Sequence, residues 1–379
     1  MSIKALHLIN HLSRGGIETW LMEMMRNCSR SVIQFDVCQI APDLKVGVYE
    51  EEFKELGGHI YRCPLRNNLF SFNRDLQQIL REGNYNILHS HHYFASGYFL
   101  KIASSIPNLK LIAHMHPTVD YQTGQRKAFP RPLYRWLMKK WIYKYSDAIL
   151  GASEATLDLT WGVRWRENPK IHFQPNGIDL SLFDVKVDTI QVRKELGLPD
   201  NSRIVLTVGR HVPHKKHEII PEIAKVICEK YNNVFFVING EGPLKNQLQE
   251  KIHEIGLTNR FRLVSGFSSL VPLWKSSDAF LFPSTQEGFG IVVIEAAAAG
   301  LPVVARRIPG VTEAATVCKN AFLLEPDSSV LEWIQGVQKA LDIGRVDVQN
   351  YSEFAEEFKF TTQRSLKVLK EIYEKLFLL

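Results

Sequence analysis

The feature that most constrains this chain is an alternation that runs through it twice, in which short β-rich apolar runs are separated by stretches with helical spacing. In the first half the runs are KALHLI, FDVCQI, NILHSH, LKLIAHMH and DAILGAS, with a helix read from about Gly16 to Asn27. In the second half they are RIVLTVGR, VFFVING, FRLVSGF, DAFLFPS, PVVARR and AFLLEP, with helices after Lys216 and after Gly290. Strands joined through helices return parallel to one another, so the pattern predicts an α/β chain with two doubly wound parallel sheets. A chain of 379 residues, 45% of them hydrophobic, also exceeds one compact core of ordinary size. Periodicity is weakest between Asp179 and Arg193, and a new strand begins at Arg203 after the turn-like GLPDNS. The expected organisation is therefore a Rossmann-like domain over 1–185, a linker over 186–202, a second Rossmann-like domain over 203–350, and closing helices over 351–379.

Composition excludes several classes. Charged residues make up 23% of the chain and no long Ser, Gln or Pro tract occurs, so the chain is expected to fold throughout. Five widely spaced cysteines in no C-x-x-C arrangement argue against a disulfide framework and fit a reducing compartment. The N-terminal apolar stretch is short and broken by His7 and Asn10, and no segment approaches about 18 uninterrupted apolar residues. The protein is expected to be neither secreted nor membrane-spanning. A net charge of +6 is compatible with nucleic acid, an anionic membrane or a phosphate-bearing ligand.

In doubly wound sheets, ligands gather beyond the carboxyl ends of the strands. Two such junctions carry the chemistry. In DAFLFPSTQEGFGIVVIEAAAAG, a strand leads through a loop with Glu287, Gly288 and Gly290 into a helix holding Glu295. The amides of Phe289, Gly290 and Ile291 stand at the helix start, where unpaired N–H groups and the helix dipole attract a diphosphate. At 1.5 Å of rise per helical residue, Glu287 and Glu295 would straddle about 10 Å, comparable to the span from a sugar across a diphosphate to a ribose, which suits Glu295 to the ribose hydroxyls. The bland alternative is that acids simply favour a helix N-terminus, but a carboxylate between Ile294 and Ala296 in an apolar helix is costly unless it is solvated or bonded. In RIVLTVGRHVPHKKH, Arg210 and Lys215 follow a strand and could offset the charge of a departing diphosphate without a metal. Alone, such a basic loop is as often mere surface.

Taken together, Gly209, Arg210 and Lys215, then GEGPL, then the Glu287-to-Glu295 spacing resemble the retaining glycosyltransferase family 4, of GT-B fold, over the whole second half. RGGIET, HSHH, HMH and NGID extend the resemblance through the first half. The resemblance implies two Rossmann-like domains facing an interdomain cleft and a nucleoside-diphosphate sugar as donor; a UDP-sugar is expected, with guanine and adenine left open as the base. It also implies transfer with retention of anomeric configuration. By similarity Gly15 and Gly16 would lie near the diphosphate, His116 would touch the transferred sugar, and Glu287, with Arg210 and Lys215, would act at the reacting centre. Backbone groups near Gly266 and Phe267 would read the base. No metal or other cofactor is implied. Lys216 stands where a glycine is common, and RRIPGVTE replaces a run of small residues, so Arg306, Arg307 and Pro309 bear either on sugar preference or only on the loop surface.

Between Tyr121 and Ser146 seven cations and no acids are interleaved with aromatics. Arg131, Arg135, Lys139 and Lys140 would line an acceptor or rest on an anionic membrane, and the alternative is a core helix with solvated cations. The resemblance to bacterial exopolysaccharide and capsule enzymes favours a glycan acceptor on a polyprenyl diphosphate at the cytoplasmic membrane face. Two rivals stay open. Alternation along strands would pair His89 with His91, and His114 with His116, for a metal-dependent hydrolase. A non-catalytic scaffold would be expected to lack Glu287, Arg210 or Lys215. Nucleic-acid binding is disfavoured, because no docking module accompanies the basic stretch.

Overall fold

The computed structural model describes residues 2–13, 15–43, 45–66, 68–116, 131–267, 269–348 and 351–378. Two compact units result, one formed by 1–177 with 360–379 and the other by 178–359. The first holds a seven-stranded parallel sheet of β1 (Ile3–Ile9), β2 (Ile33–Gln39), β3 (Ile60–Arg62), β4 (Ile87–Ser90), β5 (Lys110–Met115), β6 (Ala148–Gly151) and β7 (Ile171–Phe173). Its spatial order is β3-β2-β1-β4-β5-β6-β7. The second holds a six-stranded parallel sheet of β8 (Arg203–Val208), β9 (Val234–Asn239), β10 (Phe261–Val264), β11 (Ala279–Phe282), β12 (Val303–Arg306) and β13 (Ala321–Leu324). Its order is β10-β9-β8-β11-β12-β13. Both sheets reverse the direction of strand addition once, between β1 and β4 in the first and between β8 and β11 in the second. These are the switch points at which doubly wound folds leave room for ligands.

Strand alternation sets what each face of the first sheet buries. Leu6 and Leu8 of β1 face one core, with Phe72, Phe99 and Ile142, whereas Ala5 and Ile9 face another, with Trp20, Met24, Leu369 and Tyr373. The second core is completed by the helix Thr362–Lys375, whose apolar stripe docks beside the helix Gly16–Asn27. The segment read from sequence as one closing element is thus divided, for the helix Tyr351–Glu357 belongs to the second unit, where the Tyr351 hydroxyl donates to the Ala298 carbonyl at 3.0 Å. The segment read as a linker also lies inside the second unit, and it forms the helix Thr189–Glu195, capped by the Asp188 side chain. The chain passes between the units at 177–178 and again at 359–360.

Candidate functional site

In the second unit the loops that follow β8 and β11 meet at the switch point. The His214 carbonyl binds them together, accepting from the Thr285 amide at 2.8 Å and from the hydroxyls of Thr285 and Ser284 at 3.1 and 3.2 Å. Lys215 Nζ then lies 2.5 Å from Glu287 Oε1, with both side chains largely buried, and the same ammonium sits 4.9 Å from the centre of the Phe282 ring. The two residues singled out from separate motifs are therefore one ion pair. Close backbone packing makes room for it. A Cβ on Gly240 would stand 2.0 Å from the Gly209 carbonyl oxygen, and one on Gly310 would stand 2.5 Å from that of Gly288, so both glycines are required by contact with neighbouring main chain. Arg210 is exposed and forms no salt bridge with a described residue.

Gly290 caps the helix Ile291–Ala298 in the left-handed region, at φ +90°, which a side-chain-bearing residue would adopt only under strain. The first-turn amides of that helix follow directly, and Glu295 lies in its second turn, half-buried. Phe289 is itself buried, so any donor contact it makes is through its backbone. Lys216 takes φ +54° and ψ +34°, which accounts for glycine being common there; a lysine in this conformation costs about 1 kcal/mol. Gly266, at φ +81°, and Phe267 follow the edge strand β10, two strands away from β8.

Arg306 is the residue whose role sequence reasoning missed. It is 8% exposed, donates through Nε to the Pro283 carbonyl at 3.2 Å and through a second nitrogen to the Pro326 carbonyl, and stacks 5.4 Å from the Trp333 ring. It fastens the end of β12 to the loop that carries Glu287. Arg307 instead pairs with Glu325 at 2.7 Å on the surface. The signal in the sequence was an arginine within the otherwise apolar run PVVARR.

In the first unit, Gly15 is the N-cap of the helix Gly16–Asn27, and its carbonyl accepts from the Thr19 amide at 2.8 Å. Neither Gly15 nor Gly16 takes a positive φ, and a Cβ on Gly15 would meet the Glu18 carboxylate, 2.4 Å from Oε2. Beside this turn the histidine pairs gather as expected from alternation. His7 of β1 is in register with His89 of β4, and His91, His114 and His116 complete a buried cluster against Trp20 and Tyr373. His7 was not among the residues marked from sequence. Burial lowers the pKa of all five imidazoles, to about 3 for His7 and His116, so each is neutral near pH 7. Two triads, His7–His89–His91 and His91–His114–His116, bring ring nitrogens within 4.8 Å of one another.

The basic helix spans Arg131–Tyr145; the side chain of Arg131 and residues 117–130 lie outside the described residues. Met138 and Ile142 are buried, while Leu133, Trp136 and Tyr143 are exposed. Lys140 lies 5.2 Å from the Trp136 ring and Lys139 lies 5.0 Å from that of Trp161. Among the described residues no helix is long and apolar enough to cross a membrane.

Residues 14–182 match the family described as Glycosyltransferase Family 4, and residues 188–358 match that described as Glycosyl transferases group 1. The chain belongs to these glycosyltransferases. It is 25% identical over 376 residues to a putative glycosyltransferase, EpsF, of Bacillus subtilis, covering 98% of this chain and 96% of the relative. It is 28% identical over 241 residues to a UDP-Gal:alpha-D-GlcNAc-diphosphoundecaprenol alpha-1,3-galactosyltransferase of Escherichia coli, covering 62% and 61% of the two chains. The crystal structure of Anabaena HepE in complex with UDP superimposes with a TM-score of 0.75 at 20% identity, with full coverage of both chains. The fold of this glycosyltransferase is accordingly GT-B, built from two Rossmann-like domains. Membership supports a transferase over the metal-dependent hydrolase reading.

Proposed function

We propose that this glycosyltransferase moves a hexose from a UDP-sugar to a glycan acceptor carried on a polyprenyl diphosphate, with retention of configuration, in bacterial surface polysaccharide synthesis at the inner membrane face. The observation that carries the reading is the Lys215–Glu287 pair at the β8/β11 switch point, next to a helix N-terminus and the exposed Arg210. A diphosphate seated on the amides following Gly290 would draw Lys215 and Arg210 to its oxygens, which offsets the charge that grows as the bond from the anomeric carbon to phosphate breaks. Those two cations supply that compensation without a metal. Glu287 would orient the sugar and Glu295 the ribose. The acceptor oxygen would bond to the anomeric carbon on the face the phosphate leaves, and its proton would pass to the departing phosphate oxygen. Gly15 and Gly16 would bound the diphosphate from the first domain, His116 would touch the sugar, and Gly266 and Phe267 would meet the base.

The UDP-Gal donor and diphosphoundecaprenol acceptor of the Escherichia coli relative, and the UDP bound to HepE, support a UDP-linked donor and a diphosphoundecaprenol-type acceptor. Exposed Leu133, Trp136 and Tyr143, interleaved with Lys139, Lys140 and Lys144, support peripheral contact with an anionic membrane. Calorimetric titration with UDP, GDP and ADP in EDTA tests the donor site. UDP is expected to bind, and Arg210→Ala and Glu295→Ala are each expected to weaken it by about tenfold or more. Binding of GDP or ADP in its place would replace the base assignment, and failure of all three to bind would overturn the donor site.

A further inference from the structure

The buried histidines of the first unit form a single file. His116 Nε2 lies 2.8 Å from His91 Nδ1, and His91 Nε2 lies 2.9 Å from His7 Nδ1. His7 Nε2 reaches the Tyr373 hydroxyl at 3.4 Å, the hydroxyl lies 2.7 Å from His89 Nδ1, and His89 Nε2 lies 3.1 Å from His114 Nδ1. The file ends at His114 Nε2, which is buried and has no hydrogen-bond partner among the described residues.

A neutral imidazole has one N–H and one lone pair on its two nitrogens, and a phenol can donate once while accepting. Each link needs one donor and one acceptor, so the tautomer of one ring fixes that of the next. The Tyr373 oxygen could accept from both its neighbours, but its own buried O–H would then go unmet, so two arrangements keep every link and use that donor. If every ring carries its proton on Nε2, the file ends in an unmet buried N–H at His114. If every ring carries it on Nδ1, the file ends in an unmet lone pair. A buried N–H without an acceptor is the costlier defect, as orphaned buried N–H groups are rarer in folded proteins than under-satisfied acceptors. The all-Nδ1 arrangement is then favoured, and it leaves His116 with an N–H at Nδ1, the nitrogen at the opposite end of the file from His114 Nε2.

We infer that His91, His7, Tyr373, His89 and His114 are positioning residues that hold His116 in its Nδ1–H tautomer, so that it meets a sugar hydroxyl oxygen as a hydrogen-bond donor. This rests on the proposed contact of His116 with the transferred sugar. The same nitrogens cannot also turn their lone pairs on a shared cation, because the links consume them; a metal on either triad is the competing arrangement.

Nitrogen-15 NMR of the full-length chain labelled at histidine tests this, since the shifts of Nδ1 and Nε2 report which one is protonated. Five rings in the Nδ1–H form, unchanged from pH 5.5 to 8, are expected. In Tyr373→Phe, which keeps the ring but breaks the file at its middle, His89 Nδ1 loses its acceptor, so His89 and His114 should acquire Nε2–H character, while His7, His91 and His116, left only with an unmet lone pair at His7, should stay Nδ1–H. His91→Phe, which removes the N–H that His116 Nε2 accepts, should free His116 to take Nε2–H and lower kcat for sugar transfer by about tenfold with KM for the donor little changed, as for loss of a group that fixes a histidine tautomer. Nε2–H rings in the unaltered protein, tautomers unmoved by Tyr373→Phe, or a stoichiometric transition metal in the purified protein would each overturn the inference. Full activity in His116→Ala, with five Nδ1–H rings in the unaltered protein, would instead remove the sugar contact while the coupled file stood.

Discussion

At the switch point of the second sheet a lysine and a glutamate carry opposite full charges 2.5 Å apart, whereas at that of the first sheet five imidazoles and a phenol lie neutral and buried. The topology at the two places is the same, a central strand with neighbours added on either side, and the chemistry is opposite. A doubly wound sheet supplies only the opening; the side chains after the two central strands decide whether it handles charge or hydroxyl groups. Fixed charge suits a leaving diphosphate. Neutral donors and acceptors suit sugar hydroxyls, and in a low-dielectric setting they hold their orientation only if nearly all of them are bonded.

The largest effect should come from the charged site. Lys215→Met retains the length of the side chain and removes the ammonium, and it is expected to lower kcat by about 10²- to 10³-fold, the usual cost of losing one group that stabilises developing negative charge. His116→Gln in the first unit should cost about tenfold, and steady-state kinetics on both would break the comparison if the losses were equal.

Acid should separate the units next. Burial holds His7 and His116 at a pKa of about 3 against an ordinary 6.5, and His89, His91, His92 and His114 are lowered as well. The unfolded chain takes up protons on these groups below about pH 6.5, while in the folded chain His7 and His116 do not until about pH 3 and the others also resist protonation below their ordinary range. Their contribution is therefore intact above pH 6.5 and is lost progressively as pH falls from there toward 3. His217 in the second unit behaves alike, at about 3, but with His211 and His214 it makes a smaller group. On going from pH 7 to pH 5, and after correction for intrinsic exchange rates, hydrogen exchange should lose more protection in β1, β4 and β5 than in β8 and β11. Equal loss would sink the distinction.

The smallest effect sharpens the charged side. Arg306→Lys cannot span the carbonyls of Pro283 and Pro326 with a planar fork, and a denaturant titration is expected to show a loss of about 1–3 kcal/mol. UDP affinity should fall only slightly, through loosening of the loop that carries Glu287.

How much of this could be read in the sequence follows from which signals are local. The strand runs, the Gly16–Asn27 helix and the α/β class are local patterns, and each appears where the periodicity places it. Lys215 and Glu287 were legible one by one, because each sits where a strand ends, but their contact spans 72 positions and depends on the order of strands. His7 was read only as a break in the apolar N-terminal stretch, because a lone polar residue in an apolar strand looks like a flaw; only register with β4 shows that it faces His89. Arg306 escaped because an arginine at a strand end reads as surface, whereas its two acceptors come from other loops. The assignment of the last helix was illegible for a simpler reason, since an amphipathic stripe records that a partner exists and not which sheet provides it.

That helix has a consequence for the order in which the protein can be made. Tyr373, Leu369 and Ile372 fill the core around β1, yet they leave the ribosome after the whole second unit has emerged. The N-terminal domain is begun first and finished last. During synthesis its histidine face waits uncovered while the second unit, contiguous in the chain from 178 to 359, can already close, so folding of this protein is expected to run against the direction of translation.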